Sequence, residues 1–400
     1  LIPAVLVGYG LFLVHQVVAL PGANLEFDFR QFHRAAQDLA AGRDPYSVYL
    51  DCCRNSVVAP LKGYIYPPLL ALLMRPLAGL PEVPAAAVWL GVLNAALLGA
   101  LVAAYRGLRP LLSTDAMRWL LAGTLMFPPL LENLGFMQIG TPIVLVTVLA
   151  GTAFLQPRTT PRSGLWIAIG GALRVSPALA GLALVRRESA SARGIGVAVV
   201  AGLVLALVML VATPRLPEFV TQVLPNLGHG SAVFDNQAPS GVALRLQLLV
   251  FNGHADALKY AGSLVSLLVG FATFILCRGP AVSPRRRAAV FAAWVAAIPL
   301  VSSITWTHHL ATELVVLAFL APSLAFASRA WWLAVLAYPL LWLHRVVELL
   351  LVMVGLHDAR YLGGPALVVL SATGMCGMLL LWAACLDVLR PGDRQLLNHG

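Results

Sequence analysis

The chain has 400 residues, of which 60% are hydrophobic and only 11% charged, where a soluble domain carries about a quarter charged residues. That composition excludes a soluble globular fold and points to lipid as the main solvent. The net charge of +10 would suggest a nucleic-acid partner in a soluble protein, but the basic residues sit mostly in short loops between apolar runs, which is a topology signal.

Residues 1–20 form the first predicted crossing. The run stays apolar to Leu20 with no small-residue cleavage pattern, so it reads as a transmembrane helix and not as a cleavable signal. The first polar loop, 21–66, carries Glu26, Asp28, Asp38, Asp44 and Asp51. From Phe29 the positions Phe29, Phe32, His33, Ala36 and Ala40 follow helical spacing, with Arg30, Arg34, Gln37 and Asp38 opposite, which predicts an amphipathic helix along the membrane interface. Asp28 stands just before it with Gln31 three positions on, the pattern of a helix cap with a capping box. The same carboxylate at the membrane surface is also suited to taking a proton from a hydroxyl, and the two roles are compatible. Cys52 and Cys53 lie in this loop. Adjacent cysteines rarely bond to each other, and the five cysteines show no metal-ligand spacing. Residues 67–80 open on Pro67-Pro68 and are too short to span comfortably.

Further full crossings are predicted at 83–105, 119–131, 141–156, 194–213, 257–278, 286–303, 307–327, 331–350 and 364–389, roughly ten in all. Residues 163–187 behave differently. They have Arg162 at one end, Arg186 and Arg187 at the other, and the helix-breaking Arg174-Val175-Ser176-Pro177 between, which predicts a re-entrant segment with Arg174 at its apex. Broken helices at membrane depth are tolerated only against protein or a water-filled cavity. An arginine there is costly and functional by default, and its planar fork suits phosphate oxygens. The bland alternative is snorkelling or pairing with a carboxylate. With a cytoplasmic N-terminus, fifteen of the 27 basic residues fall in six short inner segments, the expected positive-inside bias. The outer face then holds the polar loops 21–66, 132–140, 214–256, 302–309 and 351–362 and most of the acids. The fold expected is all-α and polytopic, one transmembrane domain over 1–400 in a cell or plasma membrane.

The order of motifs resembles membrane glycosyltransferases of the C superfamily (the GT-C fold), and within them glycosyltransferase family 87. An Asp ahead of an amphipathic helix is followed by Gly42-Arg43-Asp44-Pro45-Tyr46, then Tyr64-Ile65-Tyr66-Pro67-Pro68 leading to Arg75-Pro76-Leu77. Gly135-Phe136-Met137-Gln138-Ile139-Gly140 is similar to the family's Gly-Gln-x-Asn segment, with Gly140 where the family has Asn. Arg174-Val175-Ser176-Pro177 resembles its Lys-x-x-Pro. Asn236-Gln237, with Gly241 and Arg245, resembles its Asn-Gln-Ser motif with Ala238 for Ser, and Trp306-Thr307-His308-His309 matches its Trp-x-His-His. The likeness runs from about residue 24 to 310.

The resemblance implies an inverting transfer from a polyprenyl-phosphate sugar to a lipid-linked or cell-envelope glycan on the extracytoplasmic side, with membrane lipids as the other partners and no nucleic acid. Mannose is the first expectation, an arabinofuranosyl or other pentosyl donor the alternative. Asp28 is then the general base. Arg174, Arg245, His308 and His309 are candidates for the donor phosphate, and Asp44, Tyr46, Tyr64, Tyr66, Gln138, Asn236 and Gln237 for substrate contacts. Neither cofactor nor metal site is indicated. Competing readings stay open: interfacial histidines, of which His308 is slightly preferred for the site, solvated loop positions for Arg245 and Gln237, and an aromatic belt for Tyr64 and Tyr66. From a different class, a transporter or lipid flippase would also need broken helices and a buried arginine, but it usually shows two related halves and midplane charges.

Overall fold

The computed structural model describes residues 2–20, 28–53, 62–186, 188–251, 258–279, 281, 283–354, 368 and 371–390. Glu26, Arg187, Arg394, most of the predicted 351–362 loop and residues 364–367 of the last predicted crossing lie outside them. Every regular element among the described residues is helical, so the chain is an all-α, polytopic membrane protein. Among the described residues five helices are long and apolar enough to cross a membrane: Ile2–Ala19, Glu82–Leu108, Ser189–Ala212, Tyr260–Cys277 and Arg329–Leu350. In Ser189–Ala212 only Ala190, Ser191, Gly194 and Met209 are buried. Val200, Leu203, Leu207 and Val211 are exposed, a surface that lipid covers at no cost.

Two predicted crossings are not continuous helices. Residues 119–131 divide into Thr114–Leu125 and Pro128–Gly135. Pro128 disfavours helical backbone at the residue before it, and Phe127 is accordingly extended (φ −78°, ψ 112°). Residues 307–327 resolve into a 3-10 turn Thr307–Thr312, a short α-helix Glu313–Leu320 and a second turn Ala321–Ser323. The expected break at Arg174 is present: helix Thr160–Leu173 ends there, Arg174 is extended (φ −157°, ψ 127°), and a 3-10 run Ser176–Leu184 follows.

The chain divides into two compact units. The first comprises Leu1–Arg54, Leu61–Gly181 and Ser189–Asn226, the second Asn55–Pro60, Leu182–Glu188 and Leu227–Gly400. In the first unit, helix Gly140–Phe154 packs between Glu82–Leu108 and Thr160–Leu173, and the latter packs along Ser189–Ala212. That last contact is backbone-close: a Cβ on Gly164 would collide with the carbonyl of Gly194 and the amide of Ala198. Small residues allow such approach between membrane helices. Gly164→Leu is expected to force the pair apart and to cost about 1–3 kcal/mol or more, read as a lowered unfolding temperature of the purified protein in detergent.

The amphipathic helix forms as Asp28–Ala40, but its apolar stripe faces protein. Phe29, Phe32, His33, Ala35 and Ala36 are buried against the short helix Pro68–Met74, the turn Arg75–Leu77 and helix Glu82–Leu108. Ala40, expected on that stripe, is exposed because the helix ends there. Polar contacts fix the packing. His33 Nε2 bonds the Leu77 carbonyl at 3.0 Å and Gln37 Nε2 donates to the Ala78 carbonyl at 3.3 Å. Both carbonyls lie at the end of the short helical run, where backbone donors run out; that of Leu77 also accepts from the Leu80 amide at 3.0 Å. Arg30 pairs with Glu82 at 2.6 Å. Cys52 and Cys53, expected not to pair, are joined to each other, while Cys277, Cys376 and Cys385 are free thiols.

In the second unit Arg329–Met353 packs along Thr373–Val388, and Pro284–Val301 is buried among Leu258–Cys277, Glu313–Leu320 and Thr373–Val388.

Candidate active site

Four segments of the first unit converge on Asp28. It opens helix Asp28–Ala40, whose buried face seats it beside the rest of the unit. Gln138 follows helix Pro128–Gly135 directly. There the Gln138 amide donates to the Asn133 carbonyl (2.9 Å) and the Met137 amide to that of Leu134 (3.0 Å). This is a Schellman cap in which Met137, at φ 53°, holds the left-handed position usually given to glycine. Trp89 Nε1 donates to the Met137 carbonyl at 2.8 Å and locks the turn. The Tyr66 hydroxyl donates to Gln138 Oε1 at 3.0 Å, and the Gln138 side chain bonds the Asp28 carboxyl.

The fourth member is Arg174, whose position follows from the helix break. Among the described residues its guanidinium makes no direct hydrogen bond or ion pair, yet its charge reaches both Asp28 and Tyr66. Burial pushes the Asp28 carboxyl up to about 6, against the opposing effects of the Gln138 hydrogen bond and the Arg174 charge. A carboxyl group poised there is ionised at neutral pH and still basic enough to accept a proton. Burial also lifts the Tyr66 phenol to about 12, so it remains a donor.

The other aromatic candidates form framework. Tyr46 is 0% and Tyr64 2% exposed. The Tyr46 hydroxyl donates to the Tyr66 carbonyl (3.0 Å). That of Tyr64 donates to the Pro67 carbonyl (2.6 Å) and accepts from the Ala71 amide (3.0 Å). Neither ring offers a free face for a sugar or for headgroups. Asp44 accepts from the Tyr46 amide at 2.9 Å and shares a hydrogen bond with Glu218, a residue the motifs did not single out. Burial and then the Asp44 charge raise the Glu218 carboxyl, opposed by Arg215 at 3.1 Å. Nothing in the sequence links two acids from separate loops, so this pair was not legible there.

Gly140 occupies the place where the resemblance led us to expect Asn. A Cβ there would overlap the side-chain amide of Asn133, so an amide from one helix earlier fills that volume.

The remaining candidates belong to the second unit. The Asn236 side chain spends all four of its hydrogen-bonding positions internally: Nδ2 donates to the Ser231 and Ser303 carbonyls (2.7 and 3.2 Å), and Oδ1 accepts from the Ala238 and Thr305 amides (3.1 and 2.8 Å). It staples two loops and has no capacity left for a ligand. Gln237 is buried; its Nε2 donates to the Phe234 carbonyl at 3.2 Å and its Oε1 lacks a partner among the described residues. Arg245, 2% exposed, donates through Nη1 to the Val233 and Asn236 carbonyls (2.7 and 2.8 Å), leaving Nε and Nη2 without described partners. Burial lowers it to about 10, so it keeps its charge.

His308 and His309 lie on a 3-10 turn, ring centroids 4.5 Å apart and perpendicular. His309 Nδ1 accepts from the Trp306 amide at 3.1 Å, which places the proton of its neutral form on Nε2. His308 is the more buried of the two. Just beyond, Glu313 is 0% exposed with both oxygens unpartnered among the described residues, and the Thr307 hydroxyl meets His344 Nε2 at 2.6 Å. A carboxylate within an apolar run was the available signal for Glu313. Among the described residues no group of three or more His, Cys, Asp or Glu side chains is arranged to hold a metal ion.

A family model described as Glycosyltransferase family 87 matches residues 64–303. The match takes in Tyr66, Gln138, Arg174, Asn236 and Arg245; Asp28 and the His308-His309 pair lie outside it. No curated protein matches the chain.

Proposed function

The chain belongs to glycosyltransferase family 87, a membrane glycosyltransferase, and from that premise we propose that it moves a sugar from a polyprenyl-phosphate donor onto a lipid-linked or cell-envelope glycan. Mannose is the first sugar to test and a pentofuranose the second. The reaction would take place on the extracytoplasmic side of a cell membrane whose cytoplasmic face carries the N-terminus.

The observation that carries this reading is a carboxyl held near pH 6 within reach of the charge of a guanidinium that makes no hydrogen bond or ion pair among the described residues, both in one unit. In the proposed chemistry the acceptor hydroxyl gives its proton to Asp28 as its oxygen attacks the anomeric carbon from the face opposite the phosphate. The bond from that carbon to the phosphate oxygen breaks, the configuration inverts, and polyprenyl phosphate leaves with the bonding pair. Arg174 offers its fork to the phosphate oxygens, where charge grows as the bond breaks. Arg245, His308 and His309 belong to the second unit and are given no part in this step.

The test is transfer from a synthetic polyprenyl-phosphate sugar by the purified protein, with liposome flux measured in parallel. Flux without transfer would replace this reading with a transporter. Because the base works only when ionised, kcat is expected to fall tenfold per pH unit below about 6. A pH–rate profile flat between 5 and 7 (about one unit either side of that value) would speak against Asp28.

A further inference from the structure

We propose that Tyr66 and Gln138 act together as a positioning pair, holding the Asp28 carboxylate in one orientation and favouring its ionised form. The proposal rests on reading Asp28 as the base. An amide has one accepting and one donating end, and here the two ends have different neighbours. Gln138 Oε1 takes the phenol proton of Tyr66 at 3.0 Å, which leaves the Nε2 end to donate to Asp28. An ionised carboxylate cannot donate, so turning the amide over would set oxygen against oxygen at Asp28. Donation from the phenol to Oε1 therefore matches and reinforces the amide orientation that suits the ionised carboxylate.

The pair is itself held rigidly. Gln138 is 2% and Tyr66 7% exposed, so water competes little for either bond. The Tyr66 ring takes the edge-to-face contact of Phe32, centroids 5.2 Å apart, and Phe32 stands one turn after Asp28 on the same helix. The Tyr66 carbonyl is fixed by the Tyr46 hydroxyl, and the Gln138 backbone by the Schellman cap and Trp89. The other groups whose charge bears on Asp28 are accounted for. Arg174 lies near it and Tyr66 stays protonated. On its own helix Arg30 is paired with Glu82 and His33 bonds the Leu77 carbonyl.

A hydrogen bond donated to a carboxylate lowers its pKa, and losing it does the reverse. Gln138→Leu is therefore expected to move the acid limb of kcat upward by about one pH unit, with the KM values for donor and acceptor within about twofold of wild type. Tyr66→Phe is expected to lower kcat about tenfold and to move the limb less. The double variant should be no worse than Gln138→Leu alone, because the phenol acts only through the amide. Additive losses, or an unmoved limb, would overturn the pair.

A second readout needs no catalysis: pH-difference infrared spectra of the Asp28 carboxyl in the full protein, assigned by subtracting those of Asp28→Asn. The same upward move is expected in Gln138→Leu, and an unchanged titration defeats the proposal even where transfer is lost. Full activity in Asp28→Asn would instead defeat the base reading, and the infrared titration would still decide for or against the pair.

Discussion

Asp28→Asn is expected to lower kcat for sugar transfer by about 10²–10⁴-fold, the usual contribution of a positioned base, while the donor KM changes little. The substitution is nearly isosteric, so Phe29, Phe32 and the buried stripe behind it stay packed. What is lost is the carboxylate that, as the proposed base, receives the acceptor proton. Asparagine keeps an oxygen that accepts from the Gln138 amide in its present orientation, so the fold survives and the loss falls on chemistry. Residual activity should lack the acid limb near pH 6, because the group that titrates is gone. Single-turnover transfer with wild type and variant, together with their unfolding temperatures, checks both statements, and a variant that unfolds early or keeps the limb contradicts them.

Arg174→Met is expected to act on the donor side, with kcat/KM for the polyprenyl-phosphate sugar falling about 10²–10³-fold. Methionine keeps an unbranched apolar stem and removes the fork. The variant should also raise the Asp28 carboxyl above its present value of about 6, since the Arg174 charge now lowers it. The acid limb should therefore move to higher pH at the same time. Arg174→Lys, which restores the residue type of the family's Lys-x-x-Pro segment, should recover the limb and part of the donor effect, as a point charge replaces a bidentate one. Kinetics at varied donor concentration and pH separate the two effects. Equal losses in the Met and Lys variants would mean that the guanidinium fills space and does not bind phosphate.

Much of this arrangement is legible in the residues because the physics is local. Pro177 and the polar run before it break a helix wherever they sit, so Arg174 emerges at a break. The 3.6-residue spacing from Phe29 makes an amphipathic helix with Asp28 at its start. What that helix faces is a tertiary matter. An apolar stripe reads alike against lipid and against Pro68–Met74, and only packing decides. The tyrosines show the same limit. Tyr64 and Tyr66 are two residues apart in one motif, yet one spends its hydroxyl on backbone and the other turns toward Gln138. The proline-interrupted helices at 114–135 follow from Pro128, whose effect on Phe127 is a rule of neighbours. Asn236 looks like a ligand-binding amide until its four bonds are traced to loops more than sixty residues apart.

The amide that fills the space beside Gly140 comes from Asn133, so the sizes of the side chains at the two positions are coupled. Relatives that carry asparagine at the site of Gly140 should carry a small residue at the site of Asn133, because the volume admits one amide and not two. The combination of large residues at both should be missing. A lineage could pass between the two arrangements only through the intermediate with a small residue at each, which leaves a cavity beside the Gln138 turn and should be the rarest state that survives.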